Sequence, residues 1–193
     1  MKLPASDPRV AGFLFASRFE YIERRYGPDA TGRVLAALEP VVRDQLLNLD
    51  ALRWYPLQVF LAFDKAVGPV LAPGEADVHE RLASASVQHL HGWLGKEVGL
   101  MSVHGLLSRI AEDHPRYFSF GCGEYRRTGF ESGELAFSDY PVCDEVLCRG
   151  ARGYFKACLD YVKARQARVD ETECQCRGSS RCLFQVRWQG RGD

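Results

Sequence analysis

The C-terminal region contains three consecutive pieces, QARVDETEC, QCRGSSR and CLFQVRW, which span residues 166–174, 175–181 and 182–188. The first and third pieces alternate apolar and polar side chains and contain valine, threonine and aromatic residues, which predicts two strands. The middle piece is polar and contains glycine and serine, which is typical of a turn. We therefore predict an antiparallel hairpin whose turn is flanked by Cys174 and Cys182.

Two more strands and a helix precede this hairpin. Tyr117–Phe120 and Glu134–Phe137 have the composition of short strands, and residues 121–133 between them, rich in glycine, arginine and glutamate, predict a long loop. Helical periodicity then extends from about Asp144 to Val162. The second half therefore predicts the order strand, strand, helix, strand, strand.

The first 115 residues carry helical periodicity almost throughout. Phe15, Phe19, Ile22 and Tyr26 form the apolar stripe of an amphipathic helix that ends at Gly27. Four further helices are predicted: one carrying Leu35, Leu38, Val42 and Leu46 as far as Asn48, one from Pro56 to the break at Gly68-Pro69, one from Asp77 to Leu94, and one from Ser102 to His114-Pro115.

These elements predict an α+β fold in which N-terminal helices pack on a small four-stranded antiparallel sheet. A chain of 193 residues with 46% hydrophobic side chains has material for one sizeable core. We expect a single domain over residues 1–193, with a helical half at about 8–115 and a metal-bearing half at about 117–188.

The composition excludes partners selected by net charge. Lys plus Arg and Asp plus Glu both number 25, which gives no indication of nucleic acid or a membrane surface as a partner. The N-terminus lacks a basic region followed by an apolar core, so we expect a cytoplasmic protein without a signal peptide. Any binding must come from a local site.

The cysteines favour a metal site. Six of the seven lie between Cys143 and Cys182, and reduced thiols in a cytosolic protein favour metal binding over disulfides. Glu171 lies three residues before Cys174, so both can bind one ion only if the strand twists or ends near Thr172. The alternative is that the cysteines merely pack in the core.

The same region resembles the 4-vinyl-reductase domain family. That family has a cysteine followed five residues later by a glycine with an aromatic neighbour, then Glu-x-x-Cys and a glycine-containing turn that ends in Cys-x-Phe. The matching residues here are Cys148, Gly153, Tyr154, Glu171, Cys174, Gly178, Cys182 and Phe184. The N-terminal half resembles an uncharacterised family of bacterial, specifically myxobacterial, proteins.

The 4-vinyl-reductase resemblance implies a structural zinc ion (Zn2+) bound by Cys148, Glu171, Cys174 and Cys182. Cys143 or Cys176, which the family pattern lacks, could replace one of them. The resemblance also implies a homodimer, a pocket for a small hydrophobic or aromatic ligand, and a separate protein partner for output. The partner is needed because this chain lacks the ATPase and DNA-binding regions of the phenol-sensing activators in that family.

Several aromatic residues are candidates for lining such a pocket between helices and sheet. His104 has two interpretations, a haem ligand or a hydrogen-bonded core histidine, and the second is favoured because no companion motif for haem propionates is present. Asp64 interrupts an apolar helix face, which indicates either a functional carboxylate or a narrow face. The pocket candidates are Phe60, Trp93, His104, Tyr117, Phe118 and Phe120.

Three functions follow from these patterns. The first is a non-enzymatic sensory module that binds a small molecule and acts through a partner. The second is a scaffold or protein-interaction subunit of similar fold. The third is a tetrapyrrole carrier or a reductase, which no nucleophile, phosphate-loop or acid–base motif supports. The sequence therefore favours a protein that is not an enzyme.

Overall fold

The computed structural model describes residues 7–87 and 101–190, and helices fill the first part of this range. Gly27, with a φ of 98°, ends the first helix in a conformation that favours glycine. The helices are α1 (Phe13–Tyr26), α2 (Ala30–Ala36), α3 (Pro40–Leu46), α4 (Leu57–Leu71), α5 (described over residues 78–87), α6 (Val103–Asp113) and α7 (Glu145–Tyr161).

Two antiparallel sheets complete the fold. A two-stranded sheet joins β1 (Arg9–Ala11) to β2 (Trp54–Pro56). The second sheet has four strands in the order β3-β4-β6-β5, so β4 and β6 are central. Buried and partly exposed residues alternate along β4, which places Leu135 and Phe137 on the core face. These four strands are β3 (Cys122–Arg127), β4 (Ser132–Ser138), β5 (Arg168–Glu173) and β6 (Arg181–Arg187).

The α+β class, the four-stranded sheet and the C-terminal hairpin are as predicted, but two helix boundaries were wrong. The predicted second helix is divided into α2 and α3 because the ring of Pro40 disfavours a helical Glu39, whose backbone is extended (φ −54°, ψ 141°). Helix α4 continues through Pro69 to Leu71. The prediction of helix after residue 87 lies outside the described residues.

The strand predicted at Tyr117–Phe120 was also wrong, because that segment pairs with β1 instead. The amide of Ala11 donates to the carbonyl of Tyr117 at 2.9 Å, and Phe118 forms an isolated bridge with Val10. The actual strand, β3, lies within the predicted loop of residues 121–133. Neither β1 nor β2 was predicted, since three-residue strands have too little sequence for a periodic pattern.

Helix α7 crosses α5 at an unusually short distance. A Cβ placed on Gly153 would lie 2.2 Å from the carbonyl oxygen of Glu80, and the hydroxyl of Ser84 donates to the carbonyl of Gly153 at 3.0 Å. Only a residue without a side chain fits this crossing. The contact joins the helical half to the half that carries the four-stranded sheet.

Within the described ranges, no helix is both long enough and apolar enough to cross a membrane.

Candidate functional site

A cavity of about 130 Å³ lies between the N-terminal helices, α7 and the four-stranded sheet. Leu14 of α1 and Phe60 of α4 form part of the wall on the helical side. Phe137 and Phe184 of the sheet and Phe155 of α7 form part of the opposite wall. The cavity is therefore mostly apolar and has walls from both halves of the chain.

An ion pair is buried in the helical wall of this cavity. The Nε of Arg18 donates to the Oδ1 of Asp64 at 2.7 Å, and the two residues are 4% and 2% exposed. Nη1 of Arg18 donates to the carbonyl of Leu14 at 3.0 Å and reaches the hydroxyl of Ser86 at 3.4 Å. The guanidinium also lies 4.5 Å from the centre of the Phe60 ring. The pair is thus held rigidly by its surroundings.

A buried imidazole and a half-buried tyrosine lie elsewhere in the wall. Nε2 of His114 is 2.8 Å from the hydroxyl of Tyr140, and the imidazole stacks on Phe118 with 5.0 Å between ring centres. Nδ1 of His114 is buried and has no hydrogen-bond partner among the described residues. Burial lowers the pKa of His114 to about 4 and raises the pKa of Tyr140. Both side chains are therefore uncharged at neutral pH.

The His114 imidazole should make folding stability depend on pH. The unfolded chain takes up this proton near pH 6.5 and the folded chain only near pH 4. Above about pH 6.5 the imidazole is neutral in both states and does not lower the free energy of unfolding. As the pH falls from there to about 4, the unfolded chain binds the proton more strongly, and the free energy of unfolding decreases by roughly 3 kcal/mol. Urea unfolding from pH 7 to pH 4 should show a smaller loss for His114→Phe than for the wild type. Tyr140→Phe keeps the imidazole and should keep the wild-type loss, so a reduced loss in that variant would contradict the assignment.

Three cysteines and a glutamate converge on the α7 side of the sheet. The Sγ atoms of Cys148, Cys174 and Cys182 and a carboxylate oxygen of Glu171 all lie within 4.8 Å of one another. Cys148 Sγ is 3.5 Å from Cys174 Sγ and 3.8 Å from Cys182 Sγ. A tetrahedral ion with metal–sulfur bonds of about 2.3 Å would hold two sulfurs about 3.8 Å apart. The spacing suits a shared ion better than a disulfide, whose sulfurs are about 2 Å apart.

An irregularity in β5 allows Glu171 and Cys174 to face the same point. The pairing register with β6 shifts between Glu171 and Glu173, and Cys174 then begins a 3-10 turn over Gln175–Arg177. The shift removes the alternation that would send the two side chains to opposite faces. This irregularity is the twist or end of the strand near Thr172 that binding of one ion by both residues requires.

The thiols of the cluster shift one another's acidity. The hydrogen bond between Cys148 and Cys182 raises the pKa of Cys148 and lowers the pKa of Cys182. Oε1 of Glu171 is buried without a hydrogen-bond partner in the described chain, although Oε2 accepts from Arg177 at 3.1 Å. A cation bound between these side chains would balance thiolate charge on the cysteines.

Some of the predicted pocket residues line the cavity and others do not. Phe60, Tyr117 and Phe118 line the cavity, and Phe120 lies behind it, packed on Phe118 and Tyr140. Trp93 lies outside the described residues.

The predicted cysteine ligands lie beside the same cavity. Cys148 and Cys182 border the cavity and also belong to the cluster. Cys176 lies 3.9 Å from Cys148, and Cys143 is an exposed free cysteine on the cavity rim.

His104 lies away from the cavity, near the tip of the β3–β4 hairpin. Its Nδ1 contacts the hydroxyl of Tyr125, and its Nε2 lies 2.8 Å from the carbonyl oxygen of Phe130. The ring also packs edge-on against Trp188. Both ring nitrogens therefore have partners within the protein.

Sequence reasoning missed Arg18, His114 and Tyr140 as cavity residues. Arg18 lies three residues after Phe15, which belongs to the apolar stripe of α1. Its charge is therefore placed beside a buried helix face. Together with Asp64 on the apolar face of α4, it gave a signal for a buried ion pair. In the sequence His114 precedes a proline, which indicates a helix end and gives no sign of a buried imidazole.

No protein-family model matches the chain. No curated protein matches it significantly either.

Solved structures do match it. An H-NOX protein from S. oneidensis in its Fe(II)NO state has a TM-score of 0.75 at 14% identity and covers 93% of this chain and 99% of its own. The H-NOX protein from K. algicida has a TM-score of 0.70 at 7% identity, with 94% and 97% covered. An oxygen-binding H-NOX domain related to soluble guanylate cyclases has a TM-score of 0.68 at 11% identity, with 93% and 95% covered.

These matches correct two expectations. The assignment to the 4-vinyl-reductase family was wrong, because the similar solved structures are H-NOX proteins. The expectation of structural zinc as the cofactor was wrong as well, because it came with that assignment and the similar structures are described by their haem. The 4-vinyl-reductase resemblance rested on a few cysteine, glutamate and glycine positions, whereas the structural likeness extends over more than nine-tenths of the chain. The chain therefore shares the fold of the H-NOX proteins.

Proposed function

We propose that this chain is a sensory module that holds a small apolar or aromatic molecule in its cavity and passes the change to a partner protein. The observation that carries the proposal is the apolar cavity of about 130 Å³ between the two halves. Concave apolar sites with a few placed polar groups are typical of small-molecule binding. The fold supports a sensor, because the similar structures include H-NOX proteins in complexes with NO and with oxygen.

Haem, which the fold suggests, does not fit the volume of this cavity. Pockets for drug-sized ligands measure about 300–1,000 Å³, well above the cavity found here. His104 has both ring nitrogens occupied and lies elsewhere. His114 is the one histidine among the described wall residues; its Nε2 is bonded to Tyr140 and its ring is stacked on Phe118, so only its Nδ1 could bind iron. We therefore assign the cavity a smaller molecule.

Ligand binding can be tested with the purified full chain. Native mass spectrometry would detect a copurified molecule, and thermal shifts would be measured with phenol, indole, a fatty acid and haemin. We expect a shift with at least one single-ring or two-ring compound and no stoichiometric haem absorption band. A one-to-one haem complex would contradict the smaller ligand, and the lack of any bound molecule or shift would contradict the proposal.

A pair of variants ties the effect to the cavity. Val142 lines the cavity, so Val142→Phe should fill part of it and remove the thermal shift. Val41 is 72% exposed on α3, so Val41→Phe makes the same change on the surface and should leave the shift unchanged. Equal shifts in the two variants would place the ligand elsewhere.

The proposal includes a metal site formed by Cys148, Glu171, Cys174 and Cys182. It is supported by the convergence of their four ligand atoms and by the unpartnered Oε1 of Glu171. Thiolates prefer soft or borderline transition-metal ions, and a set of four protein ligands is closed to substrate. Such an ion would hold the β5–β6 hairpin to α7 and support the wall of the cavity.

Elemental analysis should find about one transition-metal ion per chain, because the four ligands complete one coordination sphere. Cys174→Ser should lower the content to below about 0.2 per chain and reduce the melting temperature. Cys176→Ser is the matched control, because Cys176 lies beside Cys148 but outside the four-atom group, and it should retain the ion. A metal-free wild type whose melting temperature matches that of Cys174→Ser would exclude the site.

A scaffold subunit needs no internal pocket, so the cavity favours the sensor over that alternative. The homodimer stays a prediction that sedimentation of the purified chain can measure. Output through a partner protein stays part of the proposal, because the cavity lies at the contact between the two halves and a ligand there can bias how they pack.

A further inference from the structure

We infer that the cavity selects a neutral, single-ring molecule with a hydroxyl or similar polar group, and that the Arg18–Asp64 pair recognises that group. The inference rests on the proposed function, since it names the class of ligand that the cavity takes. It follows from the charges of the wall, the arrangement of the pair and the size of the cavity.

Each arginine and aspartate in the described wall already has a partner of opposite charge. Arg18 pairs with Asp64 at 2.7 Å. Asp144 pairs with Lys65 at 2.5 Å and also accepts from the amide of Val146. His114 adds no charge at neutral pH, because its burial disfavours the protonated ring. The thiols of Cys148 and Cys182, which also border the cavity, belong to the proposed metal site, where the ion would balance their charge. The rest of the wall is therefore balanced before any ligand enters.

A charged ligand would disturb this balance. An ionised group without a counter-charge is costly to transfer from water into an apolar site. Apart from the cysteine cluster, the described wall offers no free counter-charge, because Arg18, Asp64 and Asp144 each have a partner of opposite charge. A carboxylate or an ammonium ligand is therefore disfavoured, and a neutral molecule is preferred.

The Arg18–Asp64 pair can still bind a polar group. A guanidinium offers five N–H donors, and the contacts of Arg18 with Asp64, Leu14 and Ser86 use Nε and Nη1. No bond of Nη2 is found within the described part of the chain. Ser86 is fixed in turn by a 2.9 Å hydrogen bond with Ser17. A hydroxyl on the ligand would therefore meet donors and acceptors that are already oriented.

The volume limits the ligand to about one ring. An apolar cavity of about 150 Å³ admits benzene, and the cavity here is about 130 Å³. The facing aromatic side chains Phe60, Phe118, Phe137 and Phe155 suit an aromatic or similarly flat molecule. The ligand class is thus a small ring with one neutral polar substituent.

Four probes of similar size test this inference: benzyl alcohol, toluene, benzoate and benzylamine. Binding to the full chain would be followed at pH 7 by two-dimensional NMR titration. We expect benzyl alcohol to bind at least about tenfold more tightly than benzoate and benzylammonium, and about tenfold more tightly than toluene, which lacks the hydroxyl.

The double variant Arg18→Met/Asp64→Leu removes the pair and keeps the wall neutral. It should bind toluene and benzyl alcohol with similar affinity. Arg33→Met, an exposed change on α2, should keep the wild-type order of affinities. Because the double variant retains an apolar cavity, toluene binding itself reports that the cavity has survived.

The outcomes separate this inference from the proposed function. Benzoate or benzylammonium binding as tightly as benzyl alcohol overturns the inference, as does a double variant that still prefers benzyl alcohol over toluene. If none of the four probes binds the wild type, the inference is overturned. The proposed function falls only if the wider set of compounds and the native mass spectra also show no ligand.

Discussion

Gly153→Ala should destabilise the fold by at least about 3 kcal/mol or prevent folding. The added methyl would lie 2.2 Å from the carbonyl oxygen of Glu80 and 2.5 Å from its Cα. Both atoms belong to the backbone of α5, so no side-chain rotation can relieve the overlap. Helix α7 would have to move away from α5, which would open the contact between the two halves of the chain.

Gly150→Ala is the matched control for this variant. Gly150 lies one turn earlier on the same face of α7, where a new Cβ would be 3.5 Å from the Cβ of Ala83, an ordinary contact. Because alanine favours a helix over glycine by about 1 kcal/mol, this variant should be as stable as the wild type or more stable. Urea unfolding followed by circular dichroism compares the two. Equal stabilities for the two variants would mean that α5 and α7 are not held this close.

Asp64→Leu should cost about 3–5 kcal/mol in the free energy of unfolding, because it leaves the Arg18 guanidinium buried without its counter-charge. Arg18→Met should cost a similar amount by leaving Asp64 unpaired. Each single change removes the attraction while keeping the desolvation cost of the remaining charge. Urea unfolding at pH 7 measures both variants.

Arg18→Met/Asp64→Leu should recover most of that loss, because apolar residues of similar volume often replace a buried ion pair at little cost. The surface pair Arg149 and Glu145 provides a comparison, since both side chains are largely exposed and its removal should change stability by less than about 1 kcal/mol. A double variant as unstable as either single variant would contradict the account of a paired charge in an apolar wall.

The sequence predicted much of what lies close together along the chain. A helix from Ser102 was predicted, and the hydroxyl of Ser102 caps α6 by accepting from the amide of Gly105 at 3.0 Å. The C-terminal hairpin and α7 also have nearly the predicted bounds. These elements depend on local periodicity, caps and turns, which can be read from neighbouring residues.

The candidate site was less predictable from sequence. Glu171, Cys174 and Cys182 belong to one hairpin, so their proximity follows from a local turn. Arg18 and Asp64 lie on different helices, and nothing in either helix indicates which face of the other it meets. The aromatic composition near Tyr117 indicates pocket candidates, but the pairing of this segment with β1 depends on a contact between chain segments more than 100 residues apart.

The sequence alone determined that helices precede a sheet, where the hairpin turns and which cysteines flank that turn. Those features depend on interactions within a few residues, for which side-chain period and turn chemistry are sufficient. Only the tertiary structure decided that Gly153 lets α7 contact α5, that Arg18 meets Asp64, and that an apolar cavity lies between the halves. The physical reason is that helix packing depends on the shapes of two surfaces together, and the pattern of one helix does not specify its neighbour.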